Sequence, residues 1–227
     1  NKRFGYSAKE TLNIMQRLYE SHKVLTYPRT DSRYITTDVA DTLKERLKAC
    51  SVGPYRKLAG SLSMRPIRKN ASFVDNKKVS DHHAIIPTEQ FVDLTHMTNE
   101  ERKIYDLVVR RFLSAFCPPC RYEETVIYAE SGREQFVARG KVMIDEGFRQ
   151  VQEMNCEDED ESSHDMKDQT LPKIGQGMEF KQVQVDIREG KTMPPPRFTE
   201  ATLLSAMENP VKYMENKDRE MVKTIGE

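Results

Sequence analysis

The strongest constraint on the fold is a change of period at Cys117-Pro118-Pro119-Cys120. Ahead of it, Thr98-Asn99-Glu100-Glu101 has the spacing of a capping box, in which Thr98 caps a helix and Glu101 reaches back to it. Ile104, Leu107, Val108, Phe112 and Ala115 then recur at helical spacing and predict one amphipathic helix to about Phe116. Two prolines cannot continue it. Beyond them the alternation predicts strands over Glu124–Glu130, Glu134–Val142 and Phe148–Gln152, with Ser131-Gly132 as a hairpin turn between the first two. A chain that changes from period 3.6 to period 2 is expected to be α+β and multidomain, with a helical domain over residues 1–118 and a β-rich domain over 119–193.

The remaining punctuation fits that division. Ser7-Ala8-Lys9-Glu10 is a second capping box, so a helix should begin at Ala8 and bury Ala8, Leu12, Met15 and Tyr19. Thr37 is expected to cap another helix to about Lys48, with Val39, Leu43 and Leu47 inside. Residues 51–78 are loop-rich and basic, and Cys156–Asp168 reads as an acidic, mobile loop. Gly175-Gln176-Gly177 turns into an expected strand over Met178–Ile187, and Met193-Pro194-Pro195-Pro196 is a stiff connector. Thr199 then caps a helix with Leu203, Leu204 and Met207 on one face, opening a further domain over 194–227.

Composition narrows the function classes. In 227 residues, no run approaches the 18 apolar residues of a membrane helix and no signal peptide opens the chain, so the default compartment is the cytosol. Net charge is zero, yet residues 1–78 hold 17 Lys and Arg against 7 Asp and Glu, and residues 153–168 hold 8 acidic residues against Lys167 alone. The basic first third is therefore the candidate for a polyanion. Cys117 and Cys120 lack the second ligand pair of a structural zinc site, and Cys50 and Cys156 do not supply one; the four read as idle thiols.

One stretch carries chemistry: Leu25-Thr26-Tyr27-Pro28-Arg29-Thr30-Asp31-Ser32. Pro28 biases Tyr27 towards an extended backbone, so Tyr27 should end a short strand with its ring aimed off a rigid turn. Arg29, two residues on, offers a planar, permanent cation suited to phosphate oxygens. A phenol, with a reference pKa near 10, is only about one part in a thousand ionised at neutral pH, so a tyrosine nucleophile needs such a neighbour.

The longer run LYESHKVLTYPRTDSRYI, Leu18–Ile35, resembles the active-site signature of type IA DNA topoisomerases, and most closely that of the topoisomerase III branch. The resemblance implies that Tyr27 is the nucleophile that joins a DNA 5′-phosphate, that Arg29 lies beside the scissile phosphate, and that Thr30, Asp31, Ser32 and Arg33 contact DNA. A second stretch, Val79-Ser80-Asp81-His82-His83-Ala84-Ile85-Ile86-Pro87-Thr88, is similar to the family segment with a histidine near the active tyrosine. Matching Ala84-Ile85-x-Pro87 places that catalytic role on His82, with His83 a DNA contact. Arg197-Phe198-Thr199-Glu200-Ala201 resembles the run that opens the domain holding the single strand, with Arg197 on a phosphate.

The resemblance further implies an antiparallel β arch or barrel-like domain, single-stranded DNA as the partner, no membrane, a bacterial cytoplasmic and nucleoid-associated setting, and ATP-independent cleavage and resealing for relaxation or decatenation. It also implies magnesium held by a Toprim domain ahead of these residues, and C-terminal parts beyond Gly226-Glu227. On that reading the chain is a central fragment, inactive alone. A reading from another class is a passive single-strand-binding module, in which Tyr27, Tyr34, Tyr55 and Phe73 stack on bases among basic residues. A covalent adduct separates the two.

Overall fold

Both capping boxes form. Thr98 Oγ1 accepts from the Glu101 N–H at 3.3 Å while Glu101 Oε2 accepts from the Thr98 N–H at 2.9 Å, which starts α5 (Asn99–Ser114). Ser7 and Glu10 make the same exchange, at 3.1 and 2.8 Å, ahead of α1 (Ala8–Glu20). This computed structural model describes residues 1–67, 70–151, 170–180, 183, 189–208 and 210–213. The chain divides into two compact units, one of Met15–Phe180 and one of Asn1–Ile14 with Lys181–Glu227.

In the larger unit the expected helix after Tyr27 is two helices, α2 (Thr37–Asp41) and α3 (Leu43–Ala49), and the N-cap position is Thr36 rather than Thr37. The break falls at Thr42, whose hydroxyl donates to the Val39 carbonyl at 2.9 Å and so competes with the helical ladder. α4 (Arg56–Met64) follows within the basic stretch, entered through Pro54 in a 3₁₀ turn. Leu18, Leu25, Leu43, Leu47, Tyr105, Val109 and Leu113 form the heart of the core. Cys50 is buried beside them, its thiol pushed up to about 12 by burial.

The buried face of α5 is rotated from the expected one. Ile104 and Phe112 face inward as anticipated, but Tyr105, Val109 and Leu113 complete the stripe, Leu107 and Val108 are half-buried and Ala115 is exposed. Tyr105 decides this: its ring is fully buried, and a large aromatic side chain outweighs an alanine in apolar area removed from water.

The strands β1 (Arg121–Ser131) and β2 (Glu134–Asp145) pair antiparallel across a turn at Gly132, in a register that sets Thr125 against Gly140 and Ile127 against Ala138. Among the described residues this is the whole sheet: antiparallel as expected in an α+β chain, but open and two-stranded and not barrel-like. Tyr128 and Phe136 stay largely exposed on it. The strand expected over Phe148–Gln152 is instead a 3₁₀ turn, Gly147–Gln150. Its cause is Gly147, which adopts φ +50 and donates to Asp145 Oδ1 at 2.9 Å, turning the chain where pairing would have continued. The strand expected over Met178–Ile187 falls mostly outside the described residues, and Met178–Phe180 within them are not in a strand. The acidic tract Cys156–Asp168 also lies outside them.

In the smaller unit, Thr199 caps α6 (Glu200–Glu208) through the Thr202 N–H at 3.2 Å, and Glu200 Oε1 accepts from the Ala8 N–H at 3.2 Å. Phe198 packs edge-on against Tyr213 at 5.6 Å.

Candidate active site

The backbone that presents Tyr27 is built from a helix end and a proline. α1 closes with a left-handed residue, Lys23 at φ +57, and the Val24 N–H donates back to the Leu18 carbonyl at 3.0 Å. The chain leaves extended and pairs antiparallel with the second motif at Leu25 and Pro87. Pro87 has no N–H, so the ladder bonds come from its neighbours: Thr26 N–H to the Ile86 carbonyl at 3.0 Å and Thr88 N–H to the Val24 carbonyl at 3.1 Å. Tyr27 is the first residue past this bridge. Pro28 is buried behind it and Arg29 is exposed, as the extended alternation dictates.

The two motifs meet at the phenol. The His82 ring lies 4.3 Å from the Tyr27 ring, tilted by 37°, and Tyr19 packs edge-on to Tyr27 at 5.5 Å from the other motif's own helix. Thr30 fixes the backbone of this pair, its hydroxyl donating to the His82 carbonyl at 2.8 Å and accepting from the Ser32 N–H at 3.1 Å. Ser32 Oγ donates to the Lys78 carbonyl at 2.7 Å and accepts from the Tyr34 N–H at 3.1 Å. Thr30 and Ser32, both predicted as DNA contacts, thus have their hydroxyls engaged in holding the loop. His83 turns away: its Nδ1 lies 2.8 Å from the Ala84 carbonyl. Asp31 and Arg33 are exposed beside Arg29 in sequence. Arg197 is exposed in the smaller unit, just ahead of α6.

Two supports escaped the sequence reading. Arg46, on the inner face of α3, is buried; it donates to the Pro87 carbonyl at 2.9 Å and to Thr42 Oγ1 at 2.8 Å, and pairs with Glu89 at 2.7 Å. It staples the His82 segment from behind. The only trace in sequence is an arginine at i+4 from Thr42, between Leu43 and Leu47. Glu101 does more than close its capping box, since the same buried carboxylate takes Arg17 Nε at 2.8 Å and His22 Nε2 at 3.2 Å. It ties the start of α5 to the end of α1, one residue ahead of the left-handed Lys23.

Desolvation pushes the Glu101 carboxyl upward, but the bonds from Arg17, the Thr98 N–H and His22 together outweigh it and leave the pKa below the ordinary value. A lowered folded-state pKa means stability that is present above the unfolded value of 4.5 and is lost as pH falls below it. Glu101→Gln is expected to cost about 2 kcal/mol at neutral pH, the scale of hydrogen bonds to charged groups. Urea melts of the two proteins should converge as pH drops through the carboxylate range.

The arrangement offers a phenol, an imidazole against it and an exposed guanidinium two residues on. It does not offer a cation site: among the described residues no three His, Cys, Asp or Glu side chains converge to hold a metal ion. Cys120 lies 3.1 Å from the Met143 sulfur and Cys117 bonds the Leu113 carbonyl, so the two thiols face different neighbours. No helix among the described residues is long and apolar enough to cross a membrane.

The family model described as DNA topoisomerase matches residues 1–226, which takes in both motifs and the whole of the larger unit. The chain belongs to the DNA topoisomerase family. Within it the chain is topoisomerase III-like, of type IA. DNA topoisomerase 3 of Bacillus thuringiensis (strain Al Hakam) is 55% identical over 225 residues, 99% of this chain and 31% of that protein. The DNA topoisomerase 3 proteins of Bacillus licheniformis and Bacillus subtilis (strain 168) are 48% and 46% identical over 227 residues, again 31% of their own length. The chain spans just under a third of the relatives it matches.

Proposed function

We propose that this chain carries the strand-cleaving tyrosine of a type IA topoisomerase. The reading rests on one observation, the His82 ring held 4.3 Å from the Tyr27 ring by a loop whose hydroxyls are tied to backbone on both sides. Tyr27 Oη attacks a phosphodiester of single-stranded DNA. The bond to the 3′-oxygen breaks, that oxygen leaves with a proton, and the phenolic proton is lost, so charge and atoms balance. The 5′-phosphate stays on Tyr27, and return of the 3′-hydroxyl reseals the strand without ATP because the phosphodiester energy is conserved. His82 serves proton transfer or holds a phosphate oxygen. Arg29 stabilises the charge that develops on the phosphate. Asp31, Arg33, His83 and Arg197 serve as DNA contacts, and Thr30 and Ser32 order the loop.

In this reading magnesium belongs to the Toprim domain and not to these residues. Residues 1–118 act as a gate that lifts with the bound strand, the β hairpin serves as its hinge, and the whole works on DNA in the bacterial cytoplasm, for relaxation or decatenation. Arg29 is the test that separates catalysis from passive binding. With a Toprim domain supplied, Arg29→Ala should lower single-strand cleavage by about a hundredfold, the scale of one preorganised donor to developing charge. Strand affinity should fall far less. Equal losses in a cleavage gel and a binding titration would make Arg29 a mere contact.

A further inference from the structure

The pairing of Leu25 with Pro87 is carried by two bonds, from the Thr26 N–H to the Ile86 carbonyl and from the Thr88 N–H to the Val24 carbonyl. Both flank the pair and leave its own polar groups out of the ladder, so the Pro87 carbonyl points to the outer edge, away from Leu25. Pro87 is fully buried there, and a buried carbonyl needs a donor.

Arg46 supplies it, and its guanidinium gives each nitrogen a different partner. Nε donates to Thr42 Oγ1 at 2.8 Å, Nη1 donates to the Pro87 carbonyl at 2.9 Å, and Nη2 pairs with Glu89 Oε1 at 2.7 Å. Thr42 is held in turn, because its hydroxyl donates to the Val39 carbonyl, so the break between α2 and α3 is the base of the fork. Pro87 and Glu89 are two residues apart, and the fork grips the strand at both points along one edge. A lysine, with one terminal nitrogen, does not span three partners set this far apart.

Two ladder bonds on one edge define a line about which the strand can tilt, and the fork on the other edge stops that tilt. The end that would swing carries His82, which is exposed and holds its ring 4.3 Å from that of Tyr27. Thr30 holds the His82 carbonyl and Thr26 Oγ1 holds the Ala84 carbonyl, but both belong to the Tyr27 segment itself. Arg46 ties the pair to the helical body.

We propose that Arg46 is a positioning residue for strand cleavage, the fork that keeps the His82 imidazole in place beside Tyr27. The proposal rests on the strand-cleavage reading and deepens it, since Arg46 acts through His82 and not on the strand.

The test is a double-mutant cycle in the intact enzyme, read as the cleavage rate at saturating single-stranded DNA alongside strand affinity. Arg46→Met, which keeps the buried stem and removes the fork, should lower the rate about tenfold, the size of coupling found within one hydrogen-bonded network. Affinity should change by no more than about twofold, because no contact to the strand is removed. Arg46→Lys should not restore the rate. In a His82→Ala background the same Arg46→Met substitution should change the rate by less than about twofold, there being no imidazole left to misplace. An equal loss in both backgrounds, or no loss when His82 is present, overturns the proposal. Should Arg46→Met fail to fold, Glu89→Ala removes the half-exposed end of the fork and leaves both buried bonds; its loss, about threefold, should again vanish with His82→Ala, and an equal loss in both backgrounds overturns the proposal. If Tyr27→Phe cleaves as well as the unsubstituted enzyme, the strand-cleavage reading falls and the proposal falls with it.

Discussion

Tyr27→Phe, with a Toprim domain supplied, is expected to lower the yield of denaturant-resistant protein–DNA adduct by at least about a thousandfold, the scale seen when a covalent nucleophile is removed. Single-strand affinity should change by no more than about twofold, because phenylalanine keeps every contact that the ring makes in stacking. Tyr19, edge-on at 5.5 Å, and His82, at 4.3 Å, pack against the Tyr27 ring, and phenylalanine keeps that ring. The substitution therefore removes the attacking atom and leaves its setting. A passive strand-binding module gives the opposite pattern, no adduct from either protein and equal binding by both.

Gly147→Ala is expected to destabilise the chain by about 3 kcal/mol, from a left-handed backbone in a residue with a Cβ together with overpacking against a fixed wall. Gly147 has φ +50, and a Cβ built there would lie 2.5 Å from the backbone of Pro118 and Pro119. That wall is main chain immediately after α5, so no side chain can swing aside. The contact also has a topological meaning. Pro118-Pro119 is where the chain enters the hairpin and Gly147 is where it leaves, so one close approach pins the start of β1 and the end of β2 to the same point. At about 2–4 °C per kcal/mol for a chain of this size, thermal melting should fall by about 6–12 °C. Asn, which tolerates left-handed backbone, should not rescue it, since its Cβ meets the same atoms.

The parts of this fold that were legible in sequence are those fixed by local chemistry. Ser7 with Glu10 and Thr98 with Glu101 announce helix starts because their bonds close within four residues. Pro118 and Gly132 mark an end and a turn for equally local reasons. Tyr27 and His82 were legible only as two motifs, and their contact across 55 positions is a tertiary fact that no periodicity carries. The expected α5 face leaves out Tyr105, although its ring is among the most buried groups described. Phe148–Gln152 reads as a strand in the period-2 pattern, and the left-handed glycine just before it decides otherwise. Arg46 was invisible for the reason that makes it useful. A buried guanidinium is recognised by the carbonyl it satisfies, here that of Pro87, and the sequence does not say which carbonyl that is.

Residues that the motif presents as equals differ in their settings. Thr30 and Ser32 bond backbone, and His83 bonds its neighbour's carbonyl, whereas Arg29, Asp31 and Arg33 are exposed. Side chains that order the loop are thereby separated, within one short run, from side chains left exposed.

The most direct test of the central claim is the identity of the atom that holds the DNA. Trypsin should release Val24–Arg29 as one peptide, since Lys23 and Arg29 flank it and Arg29 is followed by Thr30. After reaction of the intact enzyme with single-stranded DNA, nuclease trimming and denaturation, mass spectrometry of this peptide should show a nucleotide attached to Tyr27 through its 5′-phosphate, with a free 3′-hydroxyl on the released DNA end. A nucleotide joined through a 3′-phosphate, or one found on another tyrosine while Val24–Arg29 stays unmodified, would contradict the account.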